Sequence, residues 1–152
     1  PRASLELLVK AGMAAPSAVD QRPWEFVIVT DPTMLQSLGA ALPYARMTAS
    51  APAAIVVCGD LRRQWGGPDS PIWIMDCSAA IENILLAAES LGLGAVWTAV
   101  YPYPERVAPV RRLLELPEYI EPLAVLPVGL PAGRETAKDK YDPEKVHWEK
   151  WQ

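Results

Sequence analysis

The chain has 152 residues, half of them apolar (51%), and a formal net charge of −4. That length can bury a sizeable core, and no apolar run approaches the roughly 20 residues of a membrane span. The acidic balance leaves no electrostatic footprint for nucleic acid. Residues 3–14 carry Leu5, Leu8, Val9, Gly12 and Met13 at helical spacing and stop before Pro16. This start reads as an amphipathic helix rather than a signal peptide. Pro16-Ser17-Ala18 ends the helix, Asp20 and Gln21 add hydrogen-bonding side chains, and Trp24 to Thr30 is a strand rich in Val and Ile. Such a turn brings backbone amides and a short carboxylate to one lip, and it equally suits an ordinary helix-to-strand loop. Asp31-Pro32 caps a helix to about Leu42, with proline at its first position. Ala53 to Gly59 is a short, continuously apolar strand of the kind covered on both faces.

Arg62 to Pro71 is polar and rich in Gly and Pro, and reads as an exposed loop. The longest helix runs from about Trp73 to Leu91, with Ile74, Cys77, Ile81, Ile84, Leu85, Ala88 and Leu91 at spacings of three and four. Ala80, Leu86 and Ala87 extend its apolar character to the other faces, which predicts a central position. Ala95 to Val100 is a third strand, Pro104 to Glu115 a helix, and Leu123 to Gly129 a fourth strand. After Pro131 the chain is charged and aperiodic, yet KVHWEKW brings two indoles. An α+β layered fold with a mixed sheet follows, and a tail with aromatic anchors points to a partner subunit.

Several chemistries are disfavoured. Gly92-Leu93-Gly94 has a helix before it and a strand after it, the reverse of the dinucleotide fingerprint. Gly92 instead ends the helix, and Gly94 permits close approach at the strand's start. His147 is the only histidine, and with two apolar-neighboured cysteines it makes neither a triad nor a metal shell. Cys58 and Cys77 read as reduced core thiols of a cytoplasmic protein. Asp76 and Glu82 lie six apart on different helix faces, which argues against a carboxylate pair. Chemistry therefore falls to a cofactor. Lys138 and Lys140 flank Asp139 in an extended stretch, so both cations share one side and suit a phosphate, or simply a solvated tail. Trp97-Thr98 offers backbone groups and a hydroxyl to the polar edge of a flat heterocycle, or else is a core strand.

Four segments, in order, carry a resemblance: AAPSAVDQRPWEFVIV, DCSAAIENILLAAESLGLGAVWTAVYP, PLAVLPVGLPAG and KDKYDPEKVHWEKW. The chain resembles the nitroreductase family, in its compact subgroup of FMN-dependent NAD(P)H oxidoreductases. The resemblance implies a single three-layer α+β domain over 1–152, with a mixed, mainly antiparallel sheet flanked by helices. It implies a homodimer that exchanges the C-terminal arm, residues 132–152, and holds FMN between the subunits. Pro16, Ser17, Ala18 and Asp20 would approach the isoalloxazine from one subunit, and Trp97, Thr98 and Ala99 would line it from the other. Lys138 and Lys140 would hold the phosphate.

Asp20 stands where the family usually has Asn, placing negative charge near the ring and lowering its potential slightly. Ala99 stands where Gly is common. The resemblance also implies a basic Arg-Arg-Ser-x-Arg element ahead of the first helix, which the sequence from Pro1 onward does not include; if Pro1 is the true start rather than a truncation, Lys138 and Lys140 would carry the phosphate alone. The implied activity is hydride transfer from NAD(P)H through the flavin to nitroaromatics, quinones or similar electron-poor acceptors, with no side-chain proton donor required. Tyr44 and Trp65 would border the acceptor. A flavin-binding protein without robust turnover, and a specialised dehydrogenase or dehalogenase on the same scaffold, are the alternatives.

Overall fold

Successive strand residues point to opposite faces of a sheet, and in this chain both faces are apolar. The computed structural model describes residues 1–67, 69–133 and 136–151. Pro68 of the Arg62–Pro71 loop, and Arg134, Glu135 and Gln152 of the 132–152 arm, lie outside the described residues. Four helices form, α1 (Arg2–Met13), α2 (Pro32–Ala41), α3 (Ile72–Ser90) and α4 (Pro104–Leu113). The strands are β1 (Trp24–Val29), β2 (Ala53–Asp60), β3 (Gly94–Ala95), β4 (Thr98–Ala99) and β5 (Ile120–Gly129). They are ordered β1-β2-β5-β3, with β4 also on β5.

One face buries Trp24, Ile55, Val57, Leu126 and Val128 against Leu8 of α1 and Cys77, Ile81 and Ile84 of α3. The other buries Val29, Ala54, Val56, Cys58 and Val125 against Leu35 and Leu38 of α2 and Val110 of α4. The layers are therefore helices, sheet, helices. β2 is buried along its whole length. The longest helix is not central but shares an outer layer with α1, and it leaves Met75 and Leu86 exposed.

The expected mixed sheet needs correction, because every described pairing is antiparallel. The reason lies in the β1–β2 connection. A parallel crossover must carry the chain back to the far end of the sheet. Here α2 runs out and the 3₁₀ turn Arg46–Ser50 runs back, so β2 enters beside the end of β1, with Val29 opposite Ala54.

The expected strand over Ala95–Val100 is interrupted. β3 and β4 share one register on β5, Ala95 opposite Val128 and Thr98 opposite Val125, which sets Val96 opposite Pro127. Proline has no N–H to give a ladder, and the pairing lapses there. Nearer its start β5 bulges at Leu123, whose carbonyl accepts from both Val100 N–H (3.0 Å) and Tyr101 N–H (3.2 Å).

Caps and glycines set the joints. Asp31 Oδ1 accepts from Met34 N–H at 2.8 Å and Pro32 opens α2. Gly92 (φ +69°) ends α3, with Gly92 N–H on Glu89 carbonyl and Leu93 N–H on Ala88 carbonyl. Gly94 is not a close-approach site, since an added Cβ would meet nothing nearer than 3.6 Å. Gly59 is one: a Cβ there would stand 2.4 Å from the Trp73 ring. Among the described residues no helix is long and apolar enough to cross a membrane.

Candidate functional site

Three left-handed non-glycine residues cluster in the turn after α1. Val19 (φ +51°), Asp20 (+56°) and Arg22 (+50°) are all left-handed, a conformation that costs non-glycine residues of order 1 kcal/mol each. Local bonds hold the turn in place. Asp20 N–H reaches Ser17 carbonyl at 3.1 Å, Gln21 N–H reaches Ala18 carbonyl at 3.1 Å, and Arg22 N–H reaches Ser17 Oγ at 2.9 Å. Ala18 N–H donates to Asp76 Oδ1 at 2.9 Å, tying the turn to the first part of α3. Asp76 is only 6% exposed, and its second oxygen is buried without a hydrogen-bond partner among the described residues. Glu82, by contrast, faces out.

Pro16 is exposed and Ser17 and Ala18 are half-buried, so the turn presents a surface. Asp20 does not act as a bare negative charge. Arg22 donates to it through two nitrogens, the Nε bond being 2.7 Å, and these hydrogen bonds hold its carboxyl below the usual range. The guanidinium offsets the charge, so Asp20 is not the isolated carboxylate expected from the sequence.

The interrupted strand supplies a second surface. Thr98 is buried and its hydroxyl donates to Val125 carbonyl at 2.6 Å, whereas Ala99 is exposed and Trp97 is 37% exposed. In this chain β5 is the strand beside β3 and β4, so their outward edge has no strand on it among the described residues. Ala99 carbonyl accepts from Arg106 Nη1 at 3.3 Å. The same guanidinium lies 3.9 Å from the Tyr103 ring centre and 5.8 Å from that of Tyr44. Tyr44 and Ala99 are thus gathered around one arginine. Trp65 is exposed in its loop.

Lys138 and Lys140 stand exposed on the tail, with no carboxylate at ion-pair distance among the described residues. A cavity of about 840 Å³ opens elsewhere, between Leu5, Ile28, Pro52, Leu93 and Leu130, and none of the predicted site residues lines it. The donor set fits FMN in kind: two unpaired ammonium groups for a phosphate, an open strand edge for the polar side of the ring, and an exposed indole for its face.

Asp76 and Arg106 were not singled out as site residues from sequence. For Asp76 a signal existed, because helical spacing sets it on the same face as Trp73, Cys77 and Ala80, an inward position that a carboxylate occupies only with a partner. For Arg106 there was none, since its neighbours come from other elements.

A model of the nitroreductase family matches residues 35–130. A protein of Methanothermobacter thermautotrophicus, provisionally named an NADH dehydrogenase/NAD(P)H nitroreductase, is 46% identical over 99% of this chain and 78% of its own length. A crystal structure from Parabacteroides distasonis, under the same provisional name, is 52% identical with TM-score 0.93, covering 99% of this chain and 87% of that one. A provisionally named nitroreductase of Desulfovibrio desulfuricans, solved in complex with FMN, is 25% identical with TM-score 0.80, covering 100% of this chain and 87% of that one.

Proposed function

The chain belongs to the nitroreductase family of oxidoreductases, and from that premise we propose that it binds FMN as a homodimer and passes electrons from NAD(P)H to nitroaromatic or quinone acceptors. The observation that carries the reading is a pair of separate surfaces, each with groups suited to a flavin. One is a strained turn that leads into β1 at one edge of the sheet and is fixed by a buried carboxylate, the other the open β3–β4 edge on the opposite side of the sheet. Each surface is half a site, as expected if two subunits complete it.

Bound FMN would supply the redox chemistry, taking hydride from the nicotinamide and giving electrons to the acceptor. The chain's own residues bind and orient. Pro16, Ser17, Ala18 and Asp20 present the turn to one side of the ring, and their rigidity, set by Asp76 and Ser17, costs no reorganisation on binding. Trp97 and Ala99 line the other side, with Thr98 contributing only backbone because its hydroxyl is turned inward to Val125; Trp97 excludes water and backbone groups of the edge meet the ring's polar margin. Lys138 and Lys140 neutralise the phosphate, and Tyr44 and Trp65 border the acceptor. The 132–152 arm crosses to the second subunit and closes the site. Cys58 and Cys77 are both free and buried, in keeping with a cytoplasmic protein.

The test is spectroscopic. The purified dimer, mixed with FMN, is expected to retain about one flavin per chain and to lose its visible flavin colour when NADH or NADPH is added without oxygen. A protein that takes up no FMN at micromolar concentration refutes the reading. Tight FMN with no bleaching makes it a flavin carrier instead.

A further inference from the structure

We propose that Arg106, seated against Tyr103 and Tyr44 beside Ala99, selects acceptors that carry a carboxylate on a planar, electron-poor ring. The proposal rests on the oxidoreductase reading and names the acceptor class of that same site. Arg106 is half-buried in the first turn of α4, and its backbone N–H bonds to Tyr103 carbonyl at 2.9 Å. That bond sets the two side chains on one turn, guanidinium over ring. Arg22, Arg62 and Arg111 each have a carboxylate partner, but among the described residues Arg106 has none. Among the described residues its Nε is shut from solvent without a hydrogen-bond partner, and the one polar contact of the guanidinium is the long bond to Ala99 carbonyl.

With Nε shut away and one N–H of Nη1 on Ala99, Nη2 and the second N–H of Nη1 remain for a two-pronged bond to a carboxylate, since no described residue takes them. Tyr44, 76% exposed, offers a flat apolar face next to that edge. The complementary ligand therefore joins a flat ring to an anionic rim. The chain's net charge of −4 repels anions in general, so such a ligand needs a local cation of this kind. Ala99 links the cluster to the strand edge where the ring of the cofactor is expected.

The experiment compares 4-nitrobenzoate with 4-nitrobenzamide, which has the same shape and no charge. Each is titrated calorimetrically into the oxidised, FMN-loaded protein with no reductant present. Nitrobenzoate is expected to bind at least tenfold tighter, by a margin that shrinks with added salt. In Arg106→Leu the two affinities should converge, and Arg106→Lys should keep part of the preference. If the leucine variant fails to fold, Arg106→Gln, which retains a donor for Ala99, takes its place. Equal affinities in the native protein, including no measurable binding of either ligand, overturn the proposal, as does a preference that survives in the leucine or glutamine variant. A change in NADPH-over-NADH preference, with the nitrobenzoate preference intact, assigns Arg106 to the nucleotide and also overturns it. A clear binding preference without turnover of either nitro compound sinks the oxidoreductase reading and leaves the carboxylate site standing. Turnover of both without a preference does the reverse.

Discussion

A carboxylate on the inner face of an apolar helix survives only where hydrogen bonds replace its lost water. Asp76 has such a bond from Ala18 N–H, and through it a charge in α3 fixes a turn fifty-eight residues away in sequence. Asp76→Ala is expected to cost about 1–3 kcal/mol in urea unfolding and to speed amide exchange at Ala18, while Asp76→Asn, which keeps an acceptor, recovers most of both. Asp60 behaves differently. It is buried, and two nitrogens of Arg62 bond to it at 2.9 and 2.7 Å while the guanidinium lies on the Tyr119 ring. The Arg62 hydrogen bonds hold the Asp60 carboxyl below its ordinary value near 3.8. A carboxyl lowered on folding adds stability above its unfolded value, and that stability is lost as pH falls through the folded one. Asp60→Asn should therefore cost about 1.5–3 kcal/mol at neutral pH, with the gap between variant and native closing in acid below 3.8. A gap of constant size across that range would exclude the ion pair as its source.

Trp73 stacks its edge on Tyr101, ring centres 5.1 Å apart, and rests on the bare backbone of Gly59 in β2. Gly59→Ala forces that indole off the strand and should lower stability by about 1–3 kcal/mol, read as a fall in melting temperature. The helices were legible because their stops are local: Pro16, Asp31-Pro32 and the glycine after Leu91 act within a turn of where they stand. Strand pairing was less so. Nothing near Val96 says that Pro127 will face it, and nothing in the α2 segment alone says that the chain doubles back through Arg46–Ser50. The surfaces around Ser17–Arg22 and Trp97–Ala99 were legible as segments, whereas the groups that hold them, Asp76 and Arg106, reach them only through the fold.

At the scale of the molecule, the tail leaves Trp148 76% and Trp151 86% exposed, and α3 turns Met75 and Leu86 outward. An indole carries about 150–250 Å² of mostly apolar surface, so the two together forgo several kcal/mol in water at ~25 cal/mol per Å². Seating them on a second copy recovers that energy. Deleting residues 134–152 is expected to abolish the dimer in sedimentation and FMN binding together; a truncated dimer that still holds FMN refutes the arm. Replacing Lys138 and Lys140 by Ala should weaken FMN by at least tenfold per lysine, about 1.5–3 kcal/mol each, and leave riboflavin binding nearly unchanged. The order of the sheet also has a consequence at the ribosome. β2 is buried on both faces, yet its partner β5 lies far downstream, Asp60 pairing with Ile120 and Ala53 with Val128. At about 5–20 residues per second, β2 waits roughly 3–15 s after it is made before β5 is made. Nascent chains arrested ahead of residue 120 should accordingly be protease-sensitive and captured by chaperones.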